Sequence, residues 1–334
     1  MKMLPTPGRC LVTGASGFIG RQLCRRLLDH GHHVVGVVRN PAEFAGFKGQ
    51  PFQQVCLGGI DGSTDWDEIL QGVDLVFHLA ASGGGSGSFE DQLKALRQTN
   101  VEGTRRLVSA CVSHNVRRFI YLSSIKVHGE RTDLGRPWSE SDHPNPITPY
   151  GMTKWEAEQA VWHGLAEGAT EAVVIRPPLV YGPQVPGNFF QLMNLVSKWI
   201  PLPFAKLTNK RSLIYLENLL DILYLCMTHP AAAGKTYLVS DGEDVSTGEL
   251  VKEMAELMGV PSRLFYFPEN AMRIFAGMLG KSEQAGRLLG SLVVDNMKVR
   301  AELNWSPSYS RHQGLIETIA WYLSMRQVPE GKQK

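Results

Sequence analysis

A tyrosine and a lysine, Tyr150 and Lys154, stand four residues apart directly after a helix-start signal. Thr148 predicts the N-cap and Pro149 suits the first helical position, so the two side chains should share one helix face. A tyrosine that works near pH 7 needs its pKa lowered by about 3 units, or roughly 4 kcal/mol, and an ammonium about 4 Å away supplies that at an effective dielectric constant near 20. The pair predicts a proton donor and acceptor, although Y-x-x-x-K taken alone more often has a structural role.

Two serines, Ser123 and Ser124, end an apolar segment that precedes this helix. The segment predicts a strand, and its carboxyl end would place Ser124 where a hydroxyl can hydrogen-bond a substrate carbonyl or hydroxyl. Capping of a turn explains the two serines equally well.

Three glycines, Gly14, Gly17 and Gly20, lie between an apolar run and a leucine-rich segment near the N-terminus. Gly14 permits a tight turn, Gly17 lets a diphosphate approach the backbone, and Gly20 lets a helix pack closely on a strand. The N-terminus of that helix would attract an anion. The pattern predicts a dinucleotide site, although its G-x-x-G-x-x-G spacing differs from the commoner G-x-G-x-x-G, and a plain strand-to-helix turn is the alternative.

Strand and helix signals alternate along the first half of the chain, which is typical of a parallel sheet with right-handed crossovers. The predicted strands are Arg9–Thr13, His33–Val38, Gln53–Leu57, Leu75–Leu79, Phe119–Ser123 and Ala172–Arg176. The predicted helices are Gly17–His30, Trp66–Gln71, Gln92–Asn115 and Pro149–Glu167. The fold class is therefore predicted to be α/β, a Rossmann-type doubly wound sheet with the ligand crevice at the carboxyl ends of its strands.

The second half of the chain is punctuated by prolines and predicts a smaller mixed α/β lobe that binds the substrate. We expect an NAD(P)-binding domain over residues 1–180 and a substrate lobe over residues 181–334, with a late return of the chain to the first domain as an option. The glycine- and serine-rich tract Ser82–Ser88 predicts a mobile loop, either over the ligand or at the surface.

Composition excludes several classes of protein. The 334 residues are 43% hydrophobic and 20% charged with a net charge of +2, and no basic block suggests nucleic acid. The five cysteines are widely spaced and predict reduced thiols in a cytoplasmic protein, with neither a disulfide frame nor a metal site. The most apolar stretch, residues 213–227, contains Glu217 and Asp221, so we expect a buried strand and helix and no membrane span.

Together these motifs resemble those of the extended short-chain dehydrogenase/reductase family, which includes nucleotide-sugar epimerases and reductases. The resemblance extends over nearly the whole chain. Segment Thr13–Gly20 matches the cofactor motif, Asp74–Ala81 the fourth-strand motif, and Asn100–Thr104 the segment with a structural and proton-relay asparagine. The family's catalytic serine, tyrosine and lysine correspond to Ser124, Tyr150 and Lys154.

The resemblance also implies the binding residues. The implied cofactor contacts are Gly14, Ser16, Gly17, Phe18, Ile19, Gly20, Arg39, Ile60, Leu79, Ala80, Ala81, Asn100, Tyr150, Lys154, Pro177 and Val180. The implied substrate contacts are Ser82, Ser124, Lys126, Asn188 and Arg211. Of these, Arg211 begins a segment that resembles the one whose arginine holds the substrate diphosphate.

Three positions depart from the family pattern. Arg39 stands where many NAD-using members have an acid, and a guanidinium can hold a 2′-phosphate, so NADP(H) is favoured over NAD(H); stacking of Arg39 on the adenine is the alternative. Gly59 replaces a usual aspartate and His128 a frequent tyrosine. The segment that contains Lys126 resembles that of a subgroup of bacterial surface-sugar enzymes, which reduce or epimerise UDP-N-acetylhexosamines.

These features predict an NADP(H)-dependent reductase of a UDP-4-keto-6-deoxy-N-acetylhexosamine in surface-polysaccharide sugar synthesis. A 4-epimerase of a UDP-hexose or UDP-N-acetylhexosamine is the main alternative. A reductase of other ketones and a non-enzymatic NADP(H)-sensing module are further ones.

The resemblance also implies a homodimer that pairs helices Gln92–Asn115 and Pro149–Glu167 of two copies. The apolar residues expected to support that contact are Leu93, Leu96, Val101, Leu107, Val108 and Cys111.

Overall fold

The computed structural model describes residues 8–40, 47, 49–84, 87–133, 135–278, 280 and 282–327. Its main sheet has seven parallel strands in the order β3-β2-β1-β4-β5-β6-β9. These strands are β1 (Arg9–Thr13), β2 (His33–Val38), β3 (Phe52–Cys56), β4 (Leu75–His78), β5 (Arg118–Leu122), β6 (Glu171–Arg176) and β9 (Lys235–Leu238). The remaining strands, β7 (Leu179–Tyr181) and β8 (Leu213–Tyr215), form a small parallel sheet of their own. The predicted α/β class and parallel sheet are confirmed.

Eleven α-helices lie in the described part of the chain. They are α1 (Phe18–Asp29), α2 (Phe89–Arg97), α3 (Gly103–Ser113), α4 (Pro149–Leu165), α5 (Gly187–Ser197), α6 (Leu216–Cys226), α7 (Thr247–Leu257), α8 (Glu269–Met278), α9 (Ser282–Leu289), α10 (Met297–Leu303) and α11 (Arg311–Gln327). A π-helical turn, Gln98–Glu102, separates α2 from α3, so the long helix predicted over Gln92–Asn115 is interrupted.

The helix predicted over Trp66–Gln71 is wrong, because this segment forms only turns. The Leu70 N–H donates to the Trp66 carbonyl at 2.9 Å, and Gly72 then adopts the left-handed conformation with φ 68°. A single closed turn gains too few hydrogen bonds to propagate. Trp66 is fully buried, so its apolar character reflects an anchor in the core.

The chain reverses its direction of winding between β1 and β4. From β1 it proceeds outward through β2 and β3 to one edge, and from β4 through β5 and β6 towards the other. Such a switch point opens a crevice at the carboxyl ends of the two central strands. The segments that follow β1 and β4 meet there, and the Ala80 N–H donates to Thr13 Oγ1 at 3.1 Å.

Each face of the main sheet is covered by a pair of helices. Leucines of α1 and α6 pack on one face, and α3 and α4 cover the other. Because β9 pairs with β6 and α6 packs beside α1, two elements beyond residue 180 belong to the first lobe. The predicted division at residue 180 is thus crossed by a return of the chain. A separate apolar core, which includes residues of α5, α7 and α11, forms the second lobe.

The apolar stretch 213–227 forms β8 and α6 and is largely buried, as expected. Within the ranges that the structure describes, the helices all fall short of the length or apolarity needed to cross a membrane. The same ranges hold no cluster of three or more metal-ligand side chains.

Candidate active site

The turn between β1 and α1 has the geometry expected of its glycines. Gly14 adopts φ 69°, and a Cβ built on Gly20 would lie 2.1 Å from the Gly14 carbonyl oxygen. Any side chain at position 20 would therefore push α1 away from β1. Gly17 is the N-cap of α1, so no capping side chain occupies the N-terminus of this helix. The backbone donors of the first helical turn, which includes Phe18 and Ile19, therefore suit an anionic phosphate, and the turn fits a dinucleotide.

A buried polar network lies beneath this crevice. His78 Nδ1 is 2.7 Å from Thr13 Oγ1, and His78 Nε2 is 2.8 Å from Thr104 Oγ1. Burial lowers the pKa of His78 to about 3, so the ring is neutral and joins the two threonines as a hydrogen-bond partner. The network joins the ends of β1 and β4 to the start of α3.

Asn100 holds the loop after β4. Its Oδ1 accepts from the Ser82 N–H at 2.7 Å, and its Nδ2 donates to the Ser82 carbonyl at 3.0 Å and to Thr153 Oγ1 at 3.0 Å. The buried amide thus joins the loop after β4 to α4, and its predicted role in cofactor contact and proton relay stays a prediction.

Tyr150 and Lys154 lie in the first turns of α4, which begins as the sequence predicted. Thr148 Oγ1 accepts from the Gly151 N–H at 3.2 Å, and Pro149 occupies the first turn. Lys154 is only 1% exposed, and its Nζ donates to the Leu122 carbonyl at 2.6 Å. This bond joins α4 to the end of β5, the strand that leads to the buried Ser124.

Burial dominates the acid–base properties of the pair. It raises the pKa of Tyr150 to about 12, and it lowers the pKa of Lys154 to about 7 against the opposing effect of Glu158. The predicted lowering of the Tyr150 pKa is therefore wrong for the chain by itself. Loss of water around the phenol is the cause, because the charged phenolate is poorly solvated there.

A buried ion pair between Glu158 and Arg176 joins α4 to β6. Glu158 is fully buried, and its carboxylate accepts hydrogen bonds from Arg176 Nε at 3.0 Å and Nη2 at 2.5 Å. It also accepts one from the Ser123 hydroxyl. Arg176 Nη1 also lies 2.7 Å from His128 Nε2. The sequence analysis missed Glu158, although its position one turn after Lys154 placed it on the same helix face.

Two cavities meet at Tyr150 and Ser124. The larger, about 930 Å³, lies at the switch point, and the smaller, about 420 Å³, lies between the lobes. Predicted cofactor residues in the wall of the larger cavity are Ile19, Leu79, Ala81, Tyr150, Lys154, Pro177 and Val180. Predicted substrate residues in the wall of the smaller cavity are Ser124, Lys126, Asn188 and Arg211. A dinucleotide in one and a substrate in the other would meet at the tyrosine.

Some predicted contacts lie away from these walls. Ile60 is buried in the core, where a Cβ built on Gly103 would lie 2.8 Å from its Cγ2. Arg39 is exposed at the end of β2. Residues 85 and 86 of the tract Ser82–Ser88 lie outside the described residues, so its predicted mobility stays a prediction.

Arg287 of α9 lines both cavities and was missed by the sequence analysis. Arg211 lies in the wall of the smaller cavity, and its Nη1 donates to the Gly290 carbonyl at 3.0 Å. Burial lowers the pKa of Arg211, the negative charge of Glu130 opposes this effect, and the positive charge of Arg287 adds to it. Two guanidiniums in the wall of one cavity suit a diphosphate. No motif pointed to Arg287, because α9 reaches the site only through the packing of the second lobe.

Known proteins are similar to this chain in sequence and in fold. The profile of the NAD dependent epimerase/dehydratase family matches residues 10–240. A UDP-glucose 4-epimerase of Vibrio cholerae is 38% identical over 95% of this chain and 96% of its own length. A 2-alkyl-3-oxoalkanoate reductase of Stenotrophomonas maltophilia is 30% identical over 76% of each chain.

Among solved structures, MoeE5 in complex with UDP-glucuronic acid and NAD superposes with a TM-score of 0.78 at 27% identity, over 95% of this chain and 100% of MoeE5. The fold, the glycine turn and the profile match over most of the chain agree with one another. The chain therefore belongs to the NAD dependent epimerase/dehydratase family, whose members are extended short-chain dehydrogenases/reductases.

Proposed function

We propose that this enzyme is a UDP-sugar 4-epimerase that keeps its NAD bound through the reaction. The observation that carries the proposal is the position of Tyr150 and Ser124 at the junction of a dinucleotide-sized cavity and a second cavity lined by Arg211 and Arg287. A relative similar over 95% of the chain is a UDP-glucose 4-epimerase, which supports the same reaction here.

The chain's own residues handle the proton and the charge. Tyr150 takes the proton of the sugar C4 hydroxyl during oxidation and returns it when the 4-keto group is reduced on the other face. Ser124 donates a hydrogen bond to the same oxygen, and Arg211 with Arg287 holds the diphosphate. The bound dinucleotide supplies the hydride acceptor and the hydride donor. No proton or hydride is gained or lost over the cycle.

Lys154 provides the charge that Tyr150 needs. Because burial raises the pKa of Tyr150 to about 12, its deprotonated form requires a positive charge nearby. With a pKa of about 7, Lys154 is partly protonated at neutral pH and can supply that charge. Its bond to the Leu122 carbonyl holds the ammonium in place.

A second candidate is reduction of a UDP-4-keto sugar by NADPH, and the observation that favours it is Arg39. This residue is exposed at the carboxyl end of β2, where a 2′-phosphate would lie. We expect Arg39→Ala to weaken NADPH more than NADH, by about 2–3 kcal/mol if a charge-assisted bond is lost. Equal effects on the two cofactors, measured by fluorescence titration, would remove this support.

The experiment that separates the candidates uses two tubes of purified enzyme. One contains UDP-N-acetylglucosamine or UDP-glucose without added cofactor, and inversion at C4 is followed by nuclear magnetic resonance. The other contains stoichiometric NADPH and a UDP-4-keto-6-deoxy-N-acetylhexosamine, and nicotinamide absorbance is followed.

Inversion in the first tube with silent absorbance in the second supports the epimerase. One NADPH consumed per sugar without inversion supports the reductase. Turnover in neither tube, with a dinucleotide still bound, would point to the sensing module.

A further inference from the structure

Beside the catalytic residues lies a close ion pair between Lys126 and Glu130. Lys126 Nζ is 2.9 Å from each carboxylate oxygen of Glu130. The two side chains are 26% and 16% exposed, so water screens the pair only in part. Glu130 Oε1 also accepts from Thr148 Oγ1 at 3.2 Å.

The pair connects the two segments that carry the predicted catalytic groups. The Lys126 N–H donates to Ser124 Oγ at 3.2 Å, and Thr148 caps the helix that begins with Pro149 and Tyr150. Lys126 lies in the walls of both cavities, and Glu130 lies in the wall of the smaller one.

A sugar that reacts at C4 must bring that carbon to Tyr150 and Ser124. Its C6 is only two bonds away from C4, so the C6 substituent must lie near the side chains that border those residues. Lys126 lies beside Tyr150 and Ser124, because it lines the two cavities in which those residues meet and follows Ser124 by two positions.

The charges within the Lys126–Glu130 pair are balanced, and the cations Arg211 and Arg287 in the same walls are assigned to the diphosphate. Among the described residues that line the two cavities, Glu130 is the sole carboxylate, and it is bound to Lys126. The ammonium is thus already neutralised, and a carboxylate on the sugar would face Glu130 as a like charge. Repulsion of this kind discriminates by penalising the wrong substrate.

We propose that the Lys126–Glu130 pair determines specificity by admitting sugars with an uncharged group at C6 and rejecting uronic acids. The proposal rests on the proposed function, since it assumes a UDP-sugar that reacts at C4. It assigns Glu130 a role in substrate selection and makes the neutrality of the pair the selecting property.

The test compares kcat/KM for UDP-glucose and UDP-glucuronic acid in four proteins. Wild type should prefer UDP-glucose. Glu130→Gln keeps an acceptor for Thr148 but frees the Lys126 ammonium, so the ratio of UDP-glucuronic acid to UDP-glucose activity should rise about tenfold or more, the value of one charged contact. Lys126→Met leaves Glu130 uncompensated, so the ratio should fall.

Glu269→Gln is the matched control, because it breaks an exposed i,i+4 pair with Arg273 on α8. It should leave the ratio unchanged. Wild type that prefers UDP-glucuronic acid, or a ratio that is equal in wild type and Glu130→Gln, would overturn the proposal. Should Glu130→Gln fail to fold, an unchanged ratio in Lys126→Met overturns it instead.

A binding measurement separates this proposal from the proposed function. Titration calorimetry on the NAD-containing protein with Tyr150→Phe compares the affinities of the two nucleotide sugars without turnover. If wild type inverts neither sugar, the epimerase proposal fails. The selecting role of the Lys126–Glu130 pair is still supported when Glu130→Gln raises the relative affinity for UDP-glucuronic acid. That role is refuted when the relative affinity stays constant.

Discussion

Tyr150 and Lys154 are shifted in opposite directions by the same cause. Burial favours the neutral form of each, raising the pKa of the phenol to about 12 and lowering that of the ammonium to about 7. In the proposed reaction the phenolate would need a positive charge beside it, and the partly protonated Lys154 is the residue proposed to supply it.

Tyr150→Phe should remove the proton donor and leave the cofactor site intact. We expect turnover to fall by about 100-fold or more, the usual contribution of a general acid, with little change in NAD affinity. Steady-state kinetics and a dinucleotide titration measure the two quantities. Tyr266→Phe, at a 59% exposed tyrosine, serves as the control. Turnover near that of wild type in Tyr150→Phe would contradict the assignment.

Lys154 should make stability depend on pH. Its folded-state pKa of about 7 lies below the ordinary lysine value of 10.5, so between these values the unfolded chain binds more protons. The free energy of unfolding should therefore rise with pH from 7 towards 10, by up to about 1.4 kcal/mol per pH unit from this group. Urea melts of Lys154→Met should lack that contribution, whereas Lys235→Met, at an exposed position, should retain it. Parallel curves for wild type and Lys154→Met would disprove the linkage.

At the scale of elements, the site is held by bonds between strand ends and helices. The bond from Lys154 to the Leu122 carbonyl joins α4 to β5, and the pair of Glu158 with Arg176 joins α4 to β6. Asn100 joins α4 to the loop after β4 through Thr153. The helix that carries Tyr150 is thus tied to two neighbouring strands and to the loop that follows a third.

The contact between α1 and β1 depends on Gly20. In Gly20→Ala the new Cβ would lie 2.1 Å from the Gly14 carbonyl oxygen, so α1 must shift outward. We expect weaker NAD binding and a loss of about 1–3 kcal/mol in the free energy of unfolding. Gly286→Ala, within α9, should cause neither change, because a Cβ there meets no atom within 4 Å. Unaltered NAD affinity in Gly20→Ala would show that the turn does not hold the dinucleotide.

At the scale of the whole molecule, the site is assembled by the second lobe closing over the sheet edge. Arg211 pairs through its backbone with Val245 and Leu292, far from it in the sequence, and Arg287 comes from α9. The first lobe in turn borrows β9 and α6 from the second half of the chain. Neither lobe is completed by a continuous segment.

The homodimer remains a prediction, but the apolar residues that were expected to form its interface are not at the surface. The six apolar residues of α2, the π-helical turn and α3 that were expected to form the contact are buried within the chain. An interface on these helices would have to use their outer sides, where Val112 is 38% exposed and Trp162 is half-buried. Light scattering at micromolar concentration should give twice the chain mass of 37.0 kDa, and Val112→Asp should reduce it. A mass of 37.0 kDa for the wild type would exclude the dimer.

The sequence alone determined the features that depend on neighbouring residues. The glycine turn, the capped helix with Tyr150 and Lys154, and the six strands of the first half follow from short-range periodicity and backbone conformation. Most predicted strand boundaries lie within one residue of those observed. The helix at Trp66 was wrong because a buried aromatic in a turn has the same local pattern as a short helix.

Only the tertiary structure decided how distant segments share the site. It brought Arg287 and Tyr150 into the walls of the same two cavities, turned the Asn100 amide towards Ser82, and placed the neutral pair of Lys126 and Glu130 between the segments of Ser124 and Tyr150. It also set the pKa of Tyr150, since burial depends on everything packed around the phenol. These properties arise from contacts and desolvation across the whole fold, which no local pattern of residue types records.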